Sequence, residues 1–243
     1  MDVFRRLPPA DQHADCALTI GNYDGVHRGH QAVLGTALEK AGAAGVPAIA
    51  LTFEPHPRTF FQPQVPLPRI TGPAMKARLL KLLGFDATVQ LPFTARFAAQ
   101  TAHAFIADVL VGGLGVSEAV TGFDFHFGAK RHGTPAFLSE EGRRHGFGVT
   151  CVEAFRDEGG EVVSSSRIRD LLAEGETAEA AGLLGYRYTV EAEVTHGKKL
   201  GRTLGYPTAN MVLPEPAVLK EGIYAVRLRR ADGTLHDGVA SFG

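Results

Sequence analysis

The sequence predicts an α/β fold in which a parallel sheet covered by helices precedes a small antiparallel β-module. Three observations carry that expectation. Short apolar runs rich in Ala, Val, Ile and Leu alternate with helical patterns between residues 17 and 154, and buried strands separated by helices are the mark of parallel βαβ units. A glycine-punctuated loop, Gly21-Asn-Tyr-Asp-Gly-Val-His-Arg-Gly-His30, falls between the first strand pattern and the first long helical pattern. Beyond Gly185 the chain changes to short strand-like runs with glycine and proline turns and no long helix, as in small antiparallel barrels.

Each element follows from local pattern. The apolar residues Ala17, Leu18 and Ile20 predict the first buried strand, and residues 26–43 the first helix. Residues 47–53 read as a second buried strand, ended by Glu54-Pro-His-Pro57. A helix over 74–83, a strand over 87–91 and one helix through Phe97, Phe105 and Leu110 come next. Residues 116–121 and 149–154 predict two further strands. Residues 170–174 finish a helix that Gly175 breaks, and residues 178–184 make another. A strand over 188–194 opens the second module, so the expected domains are 1–185 and 186–243.

Composition limits the function classes. At 243 residues the chain is longer than a typical single domain, and 44% hydrophobic with 21% charged residues is enough to bury a sizeable core. A net charge of -1 speaks against a broad electrostatic footprint for nucleic acid or an acidic membrane surface, while leaving small anionic ligands open. No apolar stretch approaches the ~20 residues needed to span a bilayer, and residues 1–14 lack the apolar core of a signal peptide. Cys16 and Cys151 have no metal-ligand spacing and are too few for a disulfide framework, which fits the reducing cytoplasm. Both are expected to be buried and inert; self-association is left open.

The chemistry concentrates in three segments. His27 and His30 stand three residues apart at the mouth of the first helix, after the strand and among Gly21, Gly25 and Gly29. Side chains at that spacing share a helix face, and a helix N-terminus favours anions, so the pair suits a polyphosphate whose charge grows in the transition state. A zinc site from His27, His30 and His56 is the competing use, weakened by the lack of a cysteine or acidic ligand at metal spacing. In the second segment Ser164, Ser165 and Ser166 precede a helix, with Arg167 and Arg169 expected in its first turn, where the helix dipole disfavours cations unless an anion is bound. Simple capping with solvated arginines stays open for this segment. The third, Gly122-Phe-Asp-Phe-His-Phe-Gly128, places Asp124 at a strand end beside glycine, as either a nucleotide contact or an edge turn.

These stretches, with Thr52-Phe-Glu-Pro-His-Pro57, Gly222-Ile-Tyr-Ala-Val226 and His196-Gly-Lys-Lys-Leu-Gly-Arg-Thr-Leu-Gly-Tyr-Pro-Thr-Ala-Asn210, resemble the bacterial bifunctional riboflavin kinase/FMN adenylyltransferase family in order and spacing. The resemblance implies a Rossmann-like nucleotidylyltransferase domain with a parallel sheet, followed by an incomplete small antiparallel β-barrel like that of riboflavin kinase. It also implies transfer of AMP from ATP to FMN, giving FAD and pyrophosphate, with Mg²⁺ accompanying the nucleotide. His27 and His30 would then bind the ATP phosphates and stabilise the transition state, together with Asp124 and Arg169. Gly21, Asn22, Asp24, Gly25, Gly29, Ser165 and Ser166 would complete the phosphate site, Ser166 standing where the family has threonine. Phe53, Pro57, Phe60 and Phe125 are candidate walls for the flavin ring, although aromatic residues taken singly are usually core. Another nucleotidylyltransferase would share the two-histidine loop without explaining Pro207-Thr-Ala-Asn210, and a non-catalytic nucleotide-binding module is the alternative from a different class.

In the second module the resemblance assigns riboflavin and ATP as substrates, with Lys199 at the phosphates and Thr208 and Asn210 holding nucleotide and Mg²⁺; a turn role for the last two is the simpler alternative. The chain reaches Gly238-Val-Ala-Ser-Phe-Gly243 without the family's catalytic glutamate, and Glu221 is not at its motif position. Weak riboflavin kinase activity is therefore expected of this polypeptide.

Overall fold

The computed structural model describes residues 1–9, 15–195, 208–213 and 216–243. They form two compact units, Met1–Ser164 and Ser165–Gly243. The first is built on six strands: β1 (Asp2–Phe4), β2 (Cys16–Ile20), β3 (Ala48–Glu54), β4 (Ala87–Pro92), β5 (Val116–Gly122) and β6 (Gly148–Val152). All pair in parallel, in the order β1-β4-β3-β2-β5-β6. From β2 the chain builds outward through β3 and β4, then crosses to β5 and β6 on the other side. The order reverses between β2 and β5, and the loops leaving their carboxyl ends flank the crevice where open α/β sheets bind ligands.

Strand alternation sorts the side chains into two layers. Leu18, Ile20, Ile49, Leu51 and Phe53 face Ile106, Leu110 and Leu138. Ala17, Ala48 and Ala50 face the opposite way, and these small residues leave room for Leu34 and Leu80. Leu34 belongs to α1 (Arg28–Ala44) and Leu80 to α3 (Pro73–Leu83). Each of these fully buried leucines is worth about 1.5–3 kcal/mol of transfer free energy.

Several elements differ from the sequence expectation for identifiable reasons. Helix α1 starts at Arg28, because Val26 sits at φ 40 and cannot belong to a right-handed helix. A short helix α2 (Pro57–Phe61) follows β3. The single helix expected through Phe97, Phe105 and Leu110 is four pieces: α4 (Ala95–Ala98), α5 (Ala102–Ala104), a π-helix (Phe105–Val111) and α6 (Gly112–Leu114). Thr101 breaks it, its hydroxyl accepting from the Ala104 amide and so opening a new N-terminus, as Thr94 opens α4 through the Phe97 amide. Helix α7 (Pro135–His145) has no apolar stripe to announce it; its buried positions are Leu138, Glu141 and Gly142. Cys151 is exposed on the edge strand β6, against expectation, whereas Cys16 is buried and its thiol is pushed up to about 12, chiefly by burial.

The second unit holds α8 (Ser165–Glu174), α9 (Thr177–Leu184) and two antiparallel pairs. One joins β7 (Val194–Thr195) to β8 (Asn210–Met211), the other β9 (Gly222–Arg229) to β10 (Leu235–Phe242). The strand expected over 188–194 is confined to Val194 and Thr195, because β8 pairs through only two residues. Antiparallel pairing is the sheet type expected of this module.

Candidate active site

The loop leaving β2 is locked before any ligand arrives. The Gly21 amide donates to the Leu51 carbonyl at 3.1 Å, and the Gly25 amide to Thr71 Oγ1 at 2.9 Å. Between them Tyr23 takes φ 49, its buried hydroxyl 2.6 Å from Thr19 Oγ1. Burial pushes that hydroxyl up despite the Thr19 hydrogen bond, so Tyr23 is a neutral anchor. Val26, β-branched and buried, holds φ 40, a conformation costing roughly 1–3 kcal/mol that persists only because its surroundings over-determine it.

His27 caps α1. Its Nδ1 accepts from the His30 amide at 3.2 Å, which in a neutral ring places the proton on Nε2. The two imidazoles stack, centroids 3.6 Å apart and planes 18° apart, and Tyr23 meets His30 edge-on at 5.3 Å. The pair expected to share a helix face is thus one capping ring and one first-turn ring lying against each other. Gly29 lies beneath them, and a Cβ there would meet the Val163 carbonyl at 3.1 Å. Arg28, which the sequence reading passed over, makes paired hydrogen bonds of 3.2 and 2.8 Å to Glu158 and stacks 5.0 Å over Phe155. It ties the segment after β6 to the helix mouth.

Asp24 is almost fully buried and serves the loop from within. Its Oδ1 accepts from the Ile70 and Thr71 amides at 3.1 and 3.0 Å and from Arg69 Nε at 3.4 Å. Arg69 in turn makes two 3.1 Å hydrogen bonds to Glu54, whose Oε1 also accepts from Lys76 Nζ at 2.8 Å. Burial raises the Glu54 carboxyl, yet Arg69 and Lys76 outweigh it and hold it below its ordinary value. Lys76 is lowered by burial despite Glu54. Sequence reasoning missed Glu54, Arg69 and Lys76 as site residues. The available signal was Lys76 itself, four residues before Leu80 on the apolar stripe of α3, where a solvated lysine does not belong.

The signs of these shifts define a pH test. Glu54 contributes stability that is present above its unfolded value of about 4.3 and is lost as pH falls through its lower folded value. Lys76 works in the other direction, stability rising as pH climbs toward the ordinary lysine value. Glu54→Gln is expected to flatten the dependence of the urea midpoint on pH below about 4.3; an unchanged slope would remove Glu54 from the acid response.

Asp124 and Phe125 occupy the loop after β5, across the crevice from the histidine loop. Asp124 is exposed, and its backbone carbonyl lies 2.8 Å from His126 Nδ1. Phe125 stacks on Phe127 at 5.3 Å, beginning a run of ring contacts through Phe105 and Phe97 to Phe53 and Phe93 and on to Phe60. Three of the four expected flavin-wall residues therefore belong to one ring network, linked by Phe93, Phe97, Phe105 and Phe127, and within it Phe53, Phe105 and Phe127 are buried in the core. Pro57 opens α2, and His56, the third ligand of the zinc alternative, caps that helix through Nδ1 to the Arg58 amide.

Ser165 opens α8 and Arg169 lies one turn further on the same face, both half-buried, while Ser166 is exposed. Arg169 is the fifth helical residue, so of the two arginines only Arg167 lies in the first turn and bears the dipole argument. Thr208 and Asn210 are exposed, Asn210 beginning β8. Lys199 lies outside the described residues, with Lys198 and Arg202.

Comparison with known proteins places this geometry. The FAD synthetase family model matches residues 10–167 and the riboflavin kinase model residues 184–243. The bifunctional riboflavin kinase/FMN adenylyltransferase of Escherichia coli (strain K12) is 40% identical over 228 residues, 94% of this chain and 72% of that protein. The protein of the same name from Haemophilus influenzae is 40% identical over 249 residues, 100% of this chain and 79% of its own length. A crystal structure from Streptococcus pneumoniae, described as a macrolide-efflux protein, superposes with a TM-score of 0.84 at 30% identity, covering 99% of this chain and 78% of that one. The chain belongs to the bifunctional riboflavin kinase/FMN adenylyltransferase family.

Proposed function

We propose that the first unit joins AMP to FMN at the mouth of α1. The carrying observation is the stacked His27 and His30 at a helix N-terminus beside the strand-order reversal. An FMN phosphate oxygen attacks the α-phosphorus of ATP, one P–O bond forms as another breaks, and pyrophosphate leaves. No covalent enzyme intermediate is needed, so catalysis is positioning plus charge neutralisation. His27 and His30 offer ring N–H groups to the phosphates, with the α1 amides behind them. Gly21, Asn22, Gly25 and Gly29 shape the cradle, and Asp24 holds its far side to residues 69–71. Asp124 reaches the phosphates from the β5 loop, and Phe53, Pro57, Phe60 and Phe125 wall the flavin ring.

Mg²⁺ enters with ATP as part of the substrate. Neutral oxygen donors such as Thr208 and Asn210 suit a hard cation that already carries phosphate and water ligands. Among the described residues no group of three His, Cys, Asp or Glu side chains is placed to hold a metal ion. In the second unit these two residues serve the ATP of riboflavin phosphorylation. The assay is purified protein with FMN, ATP and Mg²⁺, FAD and pyrophosphate being identified by chromatography. A parallel series starting from riboflavin reports the kinase step separately. Absence of FAD in the first series would overturn the reading.

Ser165, Ser166 and Arg169 keep the phosphate-binding roles of the family motif. Arg169→Ala is expected to raise the KM for ATP about tenfold or more, the usual scale for one lost charge-assisted hydrogen bond, with little change in melting temperature. A collapse in stability with unchanged ATP affinity in the folded fraction would make Arg169 structural.

A further inference from the structure

Lys76 is 0% exposed, and all three of its protons have takers. Nζ donates to the Asn22 carbonyl at 3.0 Å, to Thr52 Oγ1 at 2.9 Å and to Glu54 Oε1 at 2.8 Å. Thr52 Oγ1 passes its own proton to the same Asn22 carbonyl at 3.2 Å. The peptide that begins the phosphate loop is therefore gripped twice from below. Two residues on, Asp24 is gripped by Arg69, and Arg69 also ends on Glu54. One carboxylate thus anchors both limbs of the loop, through a lysine on one side and an arginine on the other.

For stability alone this arrangement is a poor choice, since a buried ion pair is often matched or bettered by apolar residues of similar volume. An apolar side chain cannot draw the Asn22 carbonyl inward. That pull orients the peptide entering Tyr23 at φ 49 and, through the turn at Val26, the start of α1 that carries His27 and His30. We propose that Lys76 is a positioning residue for adenylyl transfer, acting through the Asn22 carbonyl, with Thr52 as its relay and Glu54 as its fixed counter-charge. The inference rests on the assignment of residues 21–30 to ATP.

The experiment uses the full chain with Lys76→Met, Thr52→Val and the double variant, and measures kcat, KM for ATP, KM for FMN and the melting temperature of each. Lys76→Met is expected to lower kcat/KM for ATP on the order of 10²-fold, the scale of an ångström-level misplacement, while KM for FMN stays within about twofold. Thr52→Val keeps the volume, removes one of the two grips and is expected to cost about 3- to 10-fold in the same quantity. The double variant should lose less than the product of the singles, because both act on one carbonyl. Thr52→Val also carries the test if Lys76→Met does not fold. Folded variants with wild-type kcat/KM for ATP, or losses shared equally by ATP and FMN in step with unfolding, would overturn the proposal while His30→Ala still upholds the ATP assignment. A wild-type chain that makes no FAD overturns that assignment and this inference together.

Discussion

Replacing His30 by alanine is expected to slow FAD formation from FMN and ATP on the order of 10²-fold or more, as for loss of a preorganised charge stabiliser. The structure separates the two histidines for this purpose. His30 lies in the first turn of α1, whereas His27 precedes the helix and accepts the His30 amide through Nδ1. His27→Ala therefore removes chemistry and a helix cap together, the cap alone being worth about 1 kcal/mol. His27→Asn supplies another capping oxygen, and it should keep most of the stability while losing comparable activity. FMN affinity should change little in any of the three. Near-normal turnover in both His30→Ala and His27→Asn would reduce the stacked pair to architecture.

The largest stability effect is expected at Gly128, at the end of the β5 loop. It holds φ 71, and an added Cβ would lie 2.6 Å from the Ala102 amide nitrogen and 2.7 Å from its Cα. Those atoms are backbone at the start of α5, next to the Gln100 carbonyl that accepts from Ala129 at 2.8 Å, so they have little room to yield. With ψ 168 this is an extended conformation essentially reserved for glycine, so Gly128→Ala combines a backbone cost of about 1–3 kcal/mol with overpacking of about 1–3 kcal/mol. For a chain of this size the melting temperature should fall by roughly 5–15 °C. Gly146→Ala is the internal control: its φ is 83, but nothing lies within 4 Å of the added carbon. At ψ 23 it is left-handed helical and should lose only about 1–2 kcal/mol, and a Gly128→Ala loss no larger than that would show that neither its extended backbone nor the Ala102 contact is costly.

How much was legible before the structure depends on whether a feature is encoded locally. The central strands were, because strands buried on both faces are written as continuous apolar runs such as Ala48–Leu51. The first loop was as well, since its glycines and two histidines lie within ten residues of sequence. Strand β1 was not: three residues, largely exposed, owe their strand form to pairing with β4. The break between α4 and α5 turns on one hydroxyl, that of Thr101, which a helical pattern does not reveal. The chain of Asn22, Lys76, Glu54, Arg69 and Asp24 joins residues up to 54 positions apart, and only folding brings them together. The ring network was seen in part: Phe53, Phe60 and Phe125 were named, whereas Phe93, Phe97, Phe105 and Phe127, which connect them, were not assigned to it.

The cap on α1 constrains the electrical character of the site. An imidazole that accepts the His30 amide at Nδ1 cannot take a second proton there without letting go of the first turn of its own helix. His27 therefore ties the hydrogen bonding of its own ring to the first turn of the helix that carries His30. The two rings and the helix start thus form one unit, in which a change at any of the three is felt by the others.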